Sequence, residues 1–182
     1  MESLSTFWLS VILFVLILAS AFFSASETSM MAINRYRLKT LSAKNNMQAK
    51  RVEKLFTNLD YLIGGILLGN NFVNILAASI ATLLAIKLWG EGSVIIASFA
   101  LTIVILIFAE NTPKTFAAKN PEKIALPASW LIELLIKIFR PLIFLISYIS
   151  KLILNLFGLK NTNNDILNSE ELRMAVVDSK PM

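Results

Sequence analysis

Uncharged, mostly apolar residues run without interruption over positions 4–26, 61–86 and 92–109. Each run reaches the roughly 18–20 residues that a helix needs to cross about 30 Å of hydrocarbon. The pattern predicts three membrane helices, over residues 7–33, 60–86 and 92–118. The first starts after Glu2 with no basic stretch before it, and its apolar core is longer than that of a secretory leader, so it reads as a resident helix. Residues 35–54 carry Arg35, Arg37, Lys39, Lys44, Lys50, Arg51 and Lys54 against the single acid Glu53. Basic loops stay on the cytoplasmic side, which predicts an external N-terminus. The second helix then runs outward and residues 87–91 form an external turn, with Trp89 at headgroup level. The third returns inward to Lys114, Lys119 and Lys123.

A fourth apolar stretch, residues 124–157, is cut by Pro127, Glu133, Lys137, Arg140, Pro141 and Lys151 into pieces too short for a comfortable crossing. Three crossings also leave the C-terminus in the cytoplasm. This stretch is therefore expected to form two helices along the inner interface, joined at Arg140 and Pro141. Beyond Gly158, residues 161–165 read as a polar linker, and Asn168 with Glu171 resembles a capping box that opens a new helix. Residues 1–160 thus read as a transmembrane domain with juxtamembrane helices. Residues 161–182 read as a linker and the start of a cytosolic helix, with a soluble region expected to follow.

Composition narrows the class. With 56% hydrophobic residues, 16% charged residues and a mean hydropathy of +0.68 over 182 residues, the chain is too apolar for a soluble domain and fits one all-α membrane domain. No cysteine and no histidine are present, which removes thiolate metal sites, a thiol nucleophile and the usual general base. The net charge of +5 lies mostly beside the membrane segments, where anionic lipid accounts for it and nucleic acid need not be invoked.

Polar residues inside the predicted spans are few and regularly spaced. Ser20 and Ser24 share one face of the first helix, and Asn70 and Asn74 share one face of the second, while Asn71 points elsewhere. In the third, Glu110 lies three residues before Pro113, which has no N–H to give the Ala109 carbonyl. At 1.5 Å per residue the three sets fall in one layer, roughly 12–21 Å from the inner helix ends. Hydroxyl, amide, carboxylate and backbone oxygens are hard donors that suit magnesium, calcium or sodium. An unpartnered charge at that depth costs at least about 2.5–3.5 kcal/mol, so Glu110 calls for a role. Plainer readings stand beside this one. The serines can bond carbonyls four residues back, the asparagines can join helices, and Glu110 can pair with Lys114. Glu27, one turn past Ser24, is a second acid that can help an ion path. Gly65 and Gly69 allow close helix approach, either at a dimer seam or within one chain.

The stretches Ser20-Ala21-Phe22-Phe23-Ser24-Ala25-Ser26-Glu27-Thr28, Leu68-Gly69-Asn70-Asn71-Phe72-Val73-Asn74 and Glu110-Asn111-Thr112-Pro113-Lys114 occur in that order. Together they resemble the membrane domain of the CorC/cyclin-M family of magnesium transporters, once labelled hemolysin-like proteins. The stretch Asn168-Ser169-Glu170-Glu171-Leu172 resembles the acidic helix leading to paired CBS domains in that family. The resemblance implies a dimeric all-α membrane protein of the plasma membrane, with three transmembrane helices per chain and interfacial cytoplasmic belt helices. It implies a largely dehydrated magnesium ion held by Ser20, Ser24, Asn70, Asn74 and Glu110, and export of magnesium with sodium moving the other way. ATP is expected only through the CBS region. Ala109 stands where the family often has glycine. The alternative function is a magnesium-sensing membrane regulator that binds the ion without moving it. A hydrolase with a Ser24–Lys114 dyad is disfavoured because Lys114 lies about a turn closer to the cytoplasm and no oxyanion motif is visible, so no enzyme is expected. A structural anchor would bind no ion.

Overall fold

The computed structural model describes residues 5–156. The first helix, α1 (Thr6–Ala32), starts where the Ser5 side chain accepts the Phe7 N–H at 3.2 Å, and it stops where Ile33 turns extended. Asn34 and Asn46 cap two short helices, α2 (Arg35–Ala43) and α3 (Met47–Phe56), each accepting backbone N–H groups with its side chain. These two helices hold the basic segment. The second span, α4 (Leu59–Trp89), runs to Gly90, whose φ of 85° ends it. It therefore continues three residues past the predicted end at 86, because nothing before that glycine opposes helix.

The third span begins with a short 3-10 turn at Glu91–Ser93 and continues as α5 (Val94–Val104). It then widens into a π-helical stretch, Ile105–Asn111, and tightens again as α6 (Thr112–Lys119). Among the described residues, three helices are long and apolar enough to cross a membrane: Thr6–Ala32, Leu59–Trp89 and Glu91–Lys119. All three match the predicted spans closely, and all described elements are helical.

α1 is the central span, packed against α4 and against the π-helical stretch and α6. The core lies toward the basic end of the bundle. Phe23, Met30 and Ile33 of α1 meet Leu38, Ala49, Val52 and Leu55 of the basic helices, Leu62, Ile66 and Val73 of α4, and Ala125, Ala128 and Ile132 further on. The outer part of the third span is different. α5 buries none of its residues, as expected of a surface that meets lipid or another chain.

Residues 121–156 form one helix, α7 (Pro121–Leu156), which continues through both Pro127 and Pro141. The expected break at Arg140–Pro141 does not occur. Each proline removes only one intrahelical N–H bond, and packing holds the direction across Pro141. Ile136 before it and Ile143 after it both abut the α4 glycines, such that a methyl on Gly65 would lie 2.8 Å from the first and 3.3 Å from the second. Salt bridges from Arg37 to Glu122 (2.8 Å) and from Lys54 to Glu133 (2.9 Å) join α7 to the basic helices. The chain divides into two compact units after Ile143, and the spans, the basic helices and the first part of α7 all belong to the first. The expected linker at 161–165 and the capping box at Asn168 lie outside the described residues.

Candidate cation site

The close approach of α1 to α4 depends on Gly69. A methyl there would sit 2.5 Å from the Phe23 ring, so only glycine admits this contact. The glycine pair Gly65 and Gly69 is thus used within the chain, the first against α7 and the second against α1. On the turns beside that contact lie the four small polar residues of the two helices. Ser20 and Ser24 are buried, as is Asn70, and Asn74 is half-buried, whereas Asn71 is exposed.

Ser20 Oγ donates to Asn70 Oδ1 at 3.3 Å, a buried bond between residues fifty apart in sequence. Ser24 Oγ and Asn74 Oδ1 are buried without any hydrogen-bond partner. Each sits one turn along its own helix from the bonded pair, on the same face. Because α1 and α4 cross in opposite directions, those turns lead toward opposite ends of the bundle. A bonded hydroxyl–amide pair is therefore flanked on both sides by an unsatisfied oxygen. Leaving such a group buried costs about 1–3 kcal/mol each, which makes the two orphans beside the bonded pair chemically conspicuous.

Glu110 comes from the π-helical stretch. The Thr112 N–H bonds the Ile107 carbonyl five residues back, and Pro113 occupies the first turn of α6. The Ala109 carbonyl receives no bond from Pro113, and Ala109 itself is fully buried. The wide turn adds one residue to the helix and changes the face on which everything after it projects. The Glu110 carboxylate makes its polar contact with Lys114 Nζ, at 3.4 Å, and not with the serine–asparagine pair. The same ammonium lies 3.7 Å from Glu27 Oε2 on α1. Among the described residues no three of Asp, Glu, His and Cys converge. A cation held here would rest on neutral oxygens and a single carboxylate. Lys114 is engaged by two acids and Ser24 Oγ by nothing, so the Ser–Lys dyad of a hydrolase is not formed.

Two features escape the sequence reading. Ser26 Oγ is a third buried orphan, while Ser29 donates to the Ser26 carbonyl at 3.0 Å. Glu27 reaches across to Lys114, a contact between helices that spacing along one helix does not contain.

The transmembrane N-terminal domain described for cyclin M matches residues 11–180 of this chain. The chain belongs to the cyclin M family. Among its cyclin M relatives, the UPF0053 inner membrane protein YfjD of Escherichia coli is 45% identical over 163 residues, covering 88% of this chain and 38% of that protein. A UPF0053 protein of Haemophilus influenzae is 41% identical over 180 residues, covering 98% of this chain and 43% of its own length. The polyamine export protein of Salmonella typhimurium is 30% identical over 181 residues, covering 92% of this chain and 40% of that protein. The chain thus spans about two fifths of the length of these relatives. The family is one of membrane domains, with transport in the name of at least one relative, and the cyclin M domain here has three helices suited to that setting.

Proposed function

We propose that this cyclin M domain carries magnesium across the plasma membrane, exporting it in exchange for sodium, by alternating access around a site between α1, α4 and the π-helical stretch. In this reading Ser20, Ser24, Asn70 and Asn74 supply neutral oxygens and Glu110 supplies the charge. The domain works as a homodimer with its N-terminus outside and with α2, α3 and the first part of α7 forming a belt at the cytoplasmic face. The observation that carries the reading is the bonded Ser20–Asn70 pair between two buried, unpartnered oxygens, Ser24 Oγ and Asn74 Oδ1. Magnesium gives up its water reluctantly and takes only hard oxygen ligands, so a site for the dehydrated ion needs several such atoms in reserve. One carboxylate keeps binding weak enough for release.

The test is magnesium flux into or out of liposomes containing the purified protein. Glu110→Ala is expected to reduce flux at least about a hundredfold, the scale of losing a charged ligand, while leaving the protein folded. Flux at the unmodified rate would remove the site assignment. Binding without flux in the unmodified protein would instead favour the sensing regulator.

A second reading, polyamine export, is favoured by the name of the Salmonella relative and by the seat that Glu27 and Glu110 give to the Lys114 ammonium, a primary amine like those of a polyamine. Liposomes loaded with putrescine separate the two. Glu110-dependent putrescine flux unaffected by magnesium would replace magnesium as the cargo.

A further inference from the structure

Lys114 is a cation held against one of the proposed ligands. Its Nζ lies 3.4 Å from Glu110 Oε1 on its own span and 3.7 Å from Glu27 Oε2 on α1. An ordinary pair four residues apart on a helix would involve no other element. Here the ammonium is shared between two helices, and one of its carboxylates is the only formal charge among the five proposed ligands. Glu27 follows Ser24 by three residues and Ser20 by seven, so the second carboxylate continues the ligand face by one turn of α1 without being one of the five proposed ligands.

A metal ion that coordinates Glu110 must contend with this ammonium. Like charges a few ångströms apart repel, and more strongly where protein and lipid replace water. The lysine stem is long and flexible, and Glu27 offers its head a second acceptor on another helix. Resting on the magnesium-site reading above, we propose that Lys114 is a tethered counter-charge that competes with the transported cation for Glu110, passes to Glu27 when the cation binds, and returns to expel it. Lys114 is then a positioning residue that sets affinity and release, and Glu27 acts through it.

The test uses the full-length protein, with magnesium binding followed by titration calorimetry and flux followed after reconstitution. Lys114→Met is expected to tighten magnesium binding about tenfold by removing the competitor, and to slow flux at saturating magnesium because release loses its driving partner. Lys114→Arg keeps the charge and is expected to restore affinity to within about threefold of the unmodified protein. Glu27→Gln confines the ammonium to Glu110 and is expected to weaken binding by about fivefold. In the Lys114→Met background that Glu27 effect should shrink below about twofold, since its carrier is gone. Unchanged or weaker binding in Lys114→Met overturns the proposal, as does a Glu27→Gln effect of equal size with and without Lys114. If Lys114→Met does not fold, Glu27→Gln alone decides: weaker binding supports the proposal and unchanged binding overturns it. Glu110→Ala, measured alongside, keeps the two readings apart. If it abolishes binding while Lys114→Met changes nothing, only the counter-charge role fails. If it binds as the unmodified protein does, the magnesium site fails with it.

Discussion

At Ser24 and Asn74, stability and function point in opposite directions. Both carry a buried oxygen with no partner, so removing either should not weaken the fold. Ser24→Ala and Asn74→Ala are expected to leave the thermal midpoint unchanged or raise it by a few degrees, since about 1 kcal/mol of unsatisfied burial is relieved. The same variants should lose magnesium binding by about tenfold or more. A fall in midpoint without loss of binding would mean that these residues are structural. Gly69 is the converse case, where space alone matters. Gly69→Leu must push the Phe23 ring off α4 and is expected to cost at least about 1–3 kcal/mol, read as a lower unfolding temperature in detergent. Spacing alone singled out Ser20, Ser24, Asn70 and Asn74, because residues four apart share a helix face whatever they pack against. The Glu27–Lys114 contact was not legible, since periodicity within a helix says nothing about how two helices are rotated against each other. Ser26 has Ser29 at helical spacing, but that hydroxyl bonds the Ser26 carbonyl and leaves the Ser26 hydroxyl without a partner, which spacing does not reveal.

The element that decides the site's geometry is the π-helical stretch of the third span. Pro113 flagged a missing N–H and a bare Ala109 carbonyl, but a proline signal does not say whether a helix kinks, breaks or widens. Here it widens over Ile105–Asn111, directly ahead of α6. Deleting Leu106 should restore ordinary α-helical bonding and turn α5 relative to Glu110 by about 100°. The expected result is flux reduced at least about tenfold, with helix content by circular dichroism unchanged. Flux at the normal rate would show that the wide turn has no part in transport. Helix α7 teaches the opposite lesson. Its prolines predicted a joint at Arg140, and the helix continues where Ile136 and Ile143, on either side of Pro141, both abut Gly65 of α4. That outcome depended on a partner helix far earlier in the chain, which local rules do not see. The three spans themselves were fully legible, because a membrane helix must be long, apolar and internally hydrogen-bonded.

For the whole molecule, burial is concentrated at the basic end, and the 6% of the third span's apolar window that is buried leaves α5 facing outward. A membrane protein can leave that surface to lipid or cover it with a second copy, and the proposed homodimer takes the latter course. Chemical cross-linking of the full-length protein in membranes through a cysteine placed at exposed Phe99 or Ile95 is expected to trap dimers. Monomers alone would leave the face to lipid. The central claim is narrower than the assembly, and concerns whether α1, α4 and the π-helical stretch pool their oxygens around one small hard cation. The most direct measurement is an experimental structure of the full-length protein with manganese replacing magnesium, located by anomalous scattering. The account predicts one peak within about 2.0–2.3 Å of oxygens from the set Ser20, Ser24, Asn70, Asn74 and Glu110. A peak elsewhere, or no peak at saturating manganese with the Ser20–Asn70 bond intact, would contradict it.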